Sequence, residues 1–183
     1  NQMLGPKGLY TSGSTVVSAL ITGNALRWIS VGDSRIYLYR DGQISQLSRD
    51  HDLLQDWMPD ILEGKRSMAE ALRDPNGRKL TSFIGMGELR HVDYNRTPIP
   101  LLPGDRVLLM SDGMAESLYQ RTTGVPASAC KRMAQWLLDG EEETVSQALA
   151  DNMEHIFSQR SGDDLSLVLL AWNEAEEGEE DDG

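Results

Sequence analysis

The sequence predicts an α+β fold whose layers include antiparallel sheet. Two β-rich hairpins sit near its start, two amphipathic helical patterns come late, and an apolar strand follows them. Strands first and helices later do not make the alternating pattern of a doubly wound sheet. With 183 residues and 39% hydrophobic content, the chain can bury the core of a single domain, set here at residues 1–172.

Residues 1–13 are rich in Gly, Pro and Ser and read as a loop. Residues 15–21 and 25–31 are β-rich and flank Gly23-Asn24, a hairpin signal. In residues 35–40, Ile36 and Leu38 alternate with Tyr37 and Tyr39, and Asp41-Gly42 returns the chain into residues 43–47. Two-residue turns cannot join parallel strands, so the pairing here is antiparallel. Residues 50–79 are polar, with helical pieces at 52–57 and 67–73 and breaks at Pro59, Gly64 and Pro75-Asn76-Gly77. Strand character resumes at 91–97 and, after Leu102-Pro103-Gly104-Asp105, at 106–110. Cys130, Met133, Ala134 and Leu137, then Val145, Ala148, Leu149, Met153 and Ile156, recur at helical spacing and predict two amphipathic helices. Residues 165–172 are nearly continuous in apolar side chains, which predicts a strand central in its sheet. Residues 173–183 are predicted to be a disordered acidic tail, because they hold too little apolar area to fold.

The net charge is −12, and the last ten residues carry seven acids and no base, so the remainder is near −5. With no cluster of Lys or Arg, nucleic acid is excluded as the main partner, since affinity for a phosphate backbone comes from basic residues. Cys130 is the single cysteine, which rules out an intrachain disulfide and a cysteine-built zinc site and suits a cytoplasmic setting. No apolar run approaches the ~20 residues a membrane helix needs. The chain begins at Asn1 rather than Met, from which a longer parent protein is expected.

Chemistry is carried by acids at strand ends. Asp33 follows one predicted strand, Asp112 follows another in Ser111-Asp112-Gly113, and Asp163 precedes the last. Carboxylates at strand termini can converge on one rim, where hard cations such as Mg²⁺ and Mn²⁺ find oxygen ligands. Each acid alone reads more readily as a turn or a solvated cap than as a ligand. No G-x-S-x-G elbow, Walker A run or G-x-G-x-x-G occurs.

Order and context separate these readings. Gly32-Asp33-Ser34-Arg35, the Asp41-Gly42 hairpin, Asp50-His51, a run at 80–85 beginning Leu80-Thr81-Ser82, the Pro103-Gly104-Asp105 turn, Ser111-Asp112-Gly113 and Asp163-Asp164-Leu165-Ser166 succeed one another. This succession resembles the C-terminal part of bacterial metal-dependent serine/threonine protein phosphatases of the 2C type, the PPM family, over residues 13–172. The resemblance implies a β-sandwich of two antiparallel sheets flanked by helices, an α-β-β-α arrangement that is N-terminally incomplete here. It implies hydrolysis of phosphoserine and phosphothreonine in proteins by a metal-activated water, with two Mn²⁺ or Mg²⁺ ions and a possible third. Asp112 and Asp163 match ligands of the metal pair, and Asp33 matches an acid that helps hold a third ion. Glu116 stands where the family often has another Asp, and Asp164 replaces the usual Asn. Phosphorylated proteins, and a serine/threonine kinase that makes them, are the implied partners.

The family also begins with an Arg…Asn-Glu-Asp run and an Asp-Gly-x-Gly-Gly-His run, and nothing before Gly13 resembles either. Truncation is the favoured explanation, with weak or no metal occupancy and little activity expected of the chain as given. The alternative is a non-catalytic, phosphatase-like domain that binds and regulates a partner; a purely structural domain is a third reading. His51 matches the family's Asp-His pair in a structural role, and His155 is read as solvated. Arg35 is expected to pair with a nearby acid. Trp57, Trp136 and Trp172 are read as core residues. Asp56, Glu63, Lys65 and Arg66 match the family's flap and are read first as a solvated loop.

Overall fold

The computed structural model describes residues 12–118 and 164–173. β1 (Val16–Thr22) and β2 (Ala25–Val31) form the first hairpin, in register from Val16 opposite Val31 to Thr22 opposite Ala25. β3 (Arg35–Arg40) and β4 (Gln43–Gln46) form the second. Its turn residues Asp41 and Gly42 both take positive φ, at 51° and 75°. Positive φ at both positions is the type I′ pattern whose twist suits a two-residue hairpin, and Asp and Gly adopt it at little cost.

The two hairpins belong to different sheets. In the first, β5 (Asp93–Tyr94) and β6 (Ile99–Pro100) pair with opposite ends of β2, beside β1. The second has the order β4-β3-β7-β8, with β7 (Asp105–Met110) and β8 (Leu167–Trp172). Every pairing in both sheets is antiparallel among the described residues. Helices α1 (Leu53–Asp56), α2 (Met58–Leu62) and α3 (Met68–Arg73) lie between β4 and β5, and α4 (Asp112–Leu118) follows β7.

The core fills the space between the sheets. Leu26 and Trp28 of β2 meet Ile36 and Leu38 of β3, with Leu101 and Val107 beside them. Val17, Ala19 and Ile21 pack on this cluster from β1, and their neighbours Val16, Ser18 and Leu20 point outward, the period-two signature of a strand with one buried face. Each Leu, Ile or Val so buried contributes about 1.5–3 kcal/mol.

Three sequence expectations change in detail. Instead of one strand over 91–97 there are two short ones, β5 and β6, with Asn95 between them. The Asn95 Oδ1 accepts from the Trp28 N–H at 2.8 Å, and its Nδ2 donates to the Leu26 carbonyl at 2.9 Å. That side chain satisfies the stretch of β2 that no strand covers. β8, expected in mid-sheet, pairs only with β7 among the described residues and ends the sheet order. Its apolar character has a source in Leu170 and Trp172, which pack on the core. Trp57 is half-buried rather than core, and the Arg66 guanidinium lies 3.5 Å over its ring. Trp136, His155, the two amphipathic helical patterns and the acidic tail fall outside the described residues.

Strand β3 is anchored by ion pairs at both ends. Arg40 reaches Asp105 with Nε at 2.8 Å and with Nη2 at 2.5 Å. At the other end Arg35 donates from Nε and Nη2 to the two oxygens of Asp50, at 2.8 and 2.7 Å. The Arg35 and Asp50 side chains are only 1% and 4% exposed. Replacing Asp50 with Ala strands a buried guanidinium without its counter-charge, so urea unfolding should register a loss of about 3–5 kcal/mol. A loss within the ordinary surface range of about 0.5 kcal/mol would show that the pair does not anchor β3.

Candidate functional site

Antiparallel register decides which residues share a rim. β3 begins at Arg35, opposite Met110 at the end of β7. Met110 is in turn opposite Leu167, where β8 begins. Asp33 just precedes β3 and Asp112 just follows β7, so both leave the second sheet at the same end.

Asp33 sits in the three-residue crossover from β2 in one sheet to β3 in the other. Gly32 takes φ 107°, and a Cβ there would collide with the Thr15 side chain, so the position admits little besides glycine. The Gly32 N–H donates to His51 Nδ1 at 3.0 Å, and the His51 N–H returns a bond to the Gly32 carbonyl at 2.9 Å. On the other side of Asp33, the Thr15 and Ser34 hydroxyls are 2.8 Å apart, and Ser30 Oγ donates to the Ser34 carbonyl at 3.2 Å. Arg35 then carries its bond to Asp50. His51 and Asp50 reach this crossover because the chain leaving β4 keeps running along β3. The Leu47 N–H donates to the Ile36 carbonyl at 2.8 Å, and the Ile36 N–H to Ser48 Oγ at 3.2 Å.

Asp112 is the first residue of α4, and Ser111 organises its surroundings. Ser111 Oγ accepts from the Met114 N–H at 3.4 Å, the bond of an N-cap hydroxyl to the third helical residue. The same oxygen donates to the Asp164 carbonyl at 3.1 Å and accepts from the Ser166 N–H at 3.0 Å. The Ser111 N–H donates to the Ser166 carbonyl at 3.0 Å. One serine therefore caps the helix that starts with Asp112 and ties it to the approach of β8.

The electrostatics follow. Burial pushes the Asp33 carboxyl up to about 6, with the charge of Asp112 as the next cause and that of Asp50 after it. A backbone hydrogen bond and Arg35 oppose the rise without cancelling it. Asp33 and Asp112 thus feel each other's charge. Among the described residues no group of three or more His, Cys, Asp or Glu is arranged to hold a metal ion. Asp163 lies outside the described residues, and its neighbour Asp164 is the residue bonded to Ser111. Glu116 falls in α4, four residues after Asp112, with its side chain outside the description.

Arg35 finds its expected acid in Asp50, and His51 has the expected structural role through Gly32. In the flap region Arg66 pairs with Asp74 at 2.7 Å, Lys65 with Glu63 at 2.5 Å, and Asp56 with His91 at 3.3 Å. Asp50, Ser111 and Asn95 were not anticipated in these roles. Of the three, Ser111 had a local signal, a serine directly before a helix-starting Asp-Gly.

The sandwich agrees with comparisons to known proteins. The Stage II sporulation protein E (SpoIIE) profile matches residues 66–173, more than half of the chain, and the Protein phosphatase 2C profile matches residues 6–55. The chain belongs to the PP2C/SpoIIE phosphatase family of the bacterial PPM type. Among named relatives, serine/threonine protein phosphatase PstP of Mycobacterium tuberculosis is 29% identical over 172 residues, covering 86% of this chain and 32% of PstP. Serine/threonine phosphatase stp of Listeria welshimeri is 30% identical over 102 residues, covering 56% of this chain and 38% of the relative. The chain thus spans about a third of the length of these relatives. The crystal structure of the M. tuberculosis phosphatase PstP/Ppp superposes with a TM-score of 0.66 at 24% identity, over 92% of this chain and 63% of that one. A Stage II sporulation E family protein from Thermanaerovibrio acidaminovorans gives 0.58 at 25% identity, over 93% and 72%.

The raised Asp33 has a measurable sign. Its folded value lies above the unfolded 3.8, so the destabilisation is absent below about pH 3.8, grows as the pH rises and is complete above about 6. In chelator at pH 7.5, Asp33→Asn should therefore stabilise the chain. After discounting for the solvated part of the side chain, the gain is about 1 kcal/mol, or roughly 2–4 °C in Tm. The advantage should shrink on acidification and vanish near pH 4; a variant no more stable than the parent at pH 7.5 would show that the Asp33 carboxyl is not raised by its burial and the neighbouring acids.

Proposed function

We propose that the protein hydrolyses phosphoserine and phosphothreonine esters in proteins, with a pair of Mn²⁺ or Mg²⁺ ions as cofactor. The observation that carries this reading is the meeting of Asp33 and Asp112 on one rim, where burial and like charge push Asp33 up to about 6. Carboxylates that repel each other in a partly buried place form a donor set suited to a hard divalent cation. A relative supports the choice, since the catalytic domain of PstP was crystallised in complex with two manganese ions, and it superposes with a TM-score of 0.61 at 24% identity.

We assign the metal pair to Asp112 and Asp163, a third ion to Asp33, and an additional oxygen ligand to Glu116. When bound, such ions lower the pKa of water and offset charge on a phosphoryl group. The chain's own contribution is position. Ser111 fixes the start of α4 beneath Asp112, while the Gly32–His51 and Arg35–Asp50 contacts fix the crossover that carries Asp33. The substrates of such an enzyme are products of serine/threonine kinases, and a cytoplasmic setting suits that chemistry.

One observation favours a second reading. No Asp-Gly-x-Gly-Gly-His run occurs among the 183 residues, so the ligand the family uses to bridge its metal pair has no match here. The competing function is a non-catalytic domain that binds and regulates a partner. Hydrolysis of a phosphothreonine peptide, with and without millimolar Mn²⁺, separates the two when run on this chain and on the product of its full reading frame. The phosphatase reading expects Mn²⁺-dependent activity from the longer product. Asp112→Ala should lower it by about 100-fold or more, at or beyond the loss typical when groups supporting a metal site are removed. Two folded but inactive proteins would sink the catalytic reading and leave the binding domain.

A further inference from the structure

Beside the crossover, and separate from the acidic rim, lies a cleft of about 240 Å³. Its walls come from residues 49–51, from α1 through Gln55 and Asp56, and from residues 90–92. His51 is its inner wall and is only 5% exposed. Because its Nδ1 accepts the Gly32 N–H, the neutral ring carries its proton on Nε2. Burial, then the proximity of His91, hold His51 below the ordinary histidine range, which favours that neutral form. The ring's hydrogen bond among the described residues is made by Nδ1, and Nε2–H is left to face the cleft. A metal ion is the wrong occupant for His51, since Nε2 presents a hydrogen rather than a lone pair.

The acids around the cleft are already engaged. Asp50 is bound by Arg35, Asp56 faces His91 Nε2 at 3.3 Å, and Asp93 accepts the Arg49 N–H at 2.9 Å. Arg90 has no ion-pair partner among the described residues, and the Arg49 side chain is 78% exposed, with its guanidinium 3.6 Å from Asp93. The unmet capacity is therefore on the donor side: the His51 Nε2–H at the base and the Arg90 guanidinium at the mouth, with the Arg49 guanidinium beside Asp93.

We propose that this cleft is an oxyanion site taking one phosphate-sized group, with an oxygen on His51 Nε2–H and the remaining charge facing Arg90 and Arg49. Planar guanidinium donors suit a tetrahedral oxyanion, and the neutral imidazole N–H adds a directed donor at the base of the cleft. The group is either free phosphate or the phosphorylated side chain of a protein.

The test is a titration of the chelator-treated chain at pH 7.5 and fixed ionic strength, following the imidazole nitrogens of His51 and His91 by NMR. Chelation leaves the acidic rim as a repulsive surface for phosphate, so failure here leaves the phosphatase reading standing. Inorganic phosphate that shifts both rings saturably identifies the free ion as a ligand. A response only to a phosphothreonine peptide, and not to its unphosphorylated form, identifies the side chain. Arg90→Gln removes a partnerless exposed cation, so the fold should survive and the apparent Kd should rise about fivefold, the scale of a single exposed charge contact. Rings that ignore both ligands, an equal response to chloride or to the unphosphorylated peptide, or an unchanged Kd in Arg90→Gln would each overturn the proposal.

Discussion

The buried ion pair between Arg35 and Asp50 is the constraint on which the site depends. Taking both charges out of water costs several kcal/mol for each, so the pair is not best understood as a source of net stability. Its effect is to make alternatives expensive. Slipping β3 by one residue would turn Arg35 to the opposite face and leave two buried charges apart. Arg35 and Asp50 also sit beside Asp33 and His51, respectively. The bidentate contact and the reciprocal Gly32–His51 bonds therefore clamp the crossover before and after Asp33. A carboxylate on a free loop would swing away from a like charge. Held between these two contacts, Asp33 cannot, and burial first, then the charge of Asp112, push its pKa up.

The same logic extends to the second acid. Ser111 gives its hydroxyl three partners, in α4, at Asp164 and at Ser166. Asp112 therefore begins a helix whose start is joined to the entry of β8. Negative charge gathered by rigid backbone is destabilising for the isolated chain and useful to a cation, since little ligand reorganisation is left to be done on binding. The opposite end of β3 has a different character. There Arg40 and Asp105 neutralise each other, and Asp105 also accepts the Leu102 N–H, closing the turn before β7. One end of the sheet is locked by compensated charge, and the other is left with carboxylates in excess.

Much of this was legible in the sequence because it is local. Asp41-Gly42 specifies a hairpin by the φ values it can adopt, and by alternation Ile36 and Leu38 name the face of β3 that packs on the inter-sheet core. The strand ends that carry Asp33 and Asp112 followed from the same patterns. What was not legible depends on contacts between distant residues. Asn95 looks like an ordinary polar residue in a strand until its amide is seen completing the pairing of β2. Asp50 could be matched to Arg35 only once the chain after β4 was known to run back along β3. Apolar content alone cannot say how many neighbours a strand has, so β8 read as central and sits at the end of its described sheet. Trp57 read as core because it is large and aromatic, yet an arginine covers its ring.

The division of the family matches along the chain clarifies how the rim is assembled. The 2C-type match ends at residue 55 and holds Asp33, while the SpoIIE match begins at residue 66 and holds Asp112 and Asp163. The interval between them falls in α1–α2 and the exposed turn after α2, a stretch with no named strand. Neither half contains the acidic rim by itself. What unites them is the β3–β7 ladder, five paired residues from Arg35 opposite Met110 to Tyr39 opposite Arg106. The interval can therefore vary in length and composition without moving the acids, as long as the ladder keeps its register. That register is what the ion pairs at the two ends of β3 enforce. The chemistry proposed for the rim thus rests on a strand pairing, and the partners of the β3 arginines, Asp50 and Asp105, decide whether that pairing holds its register.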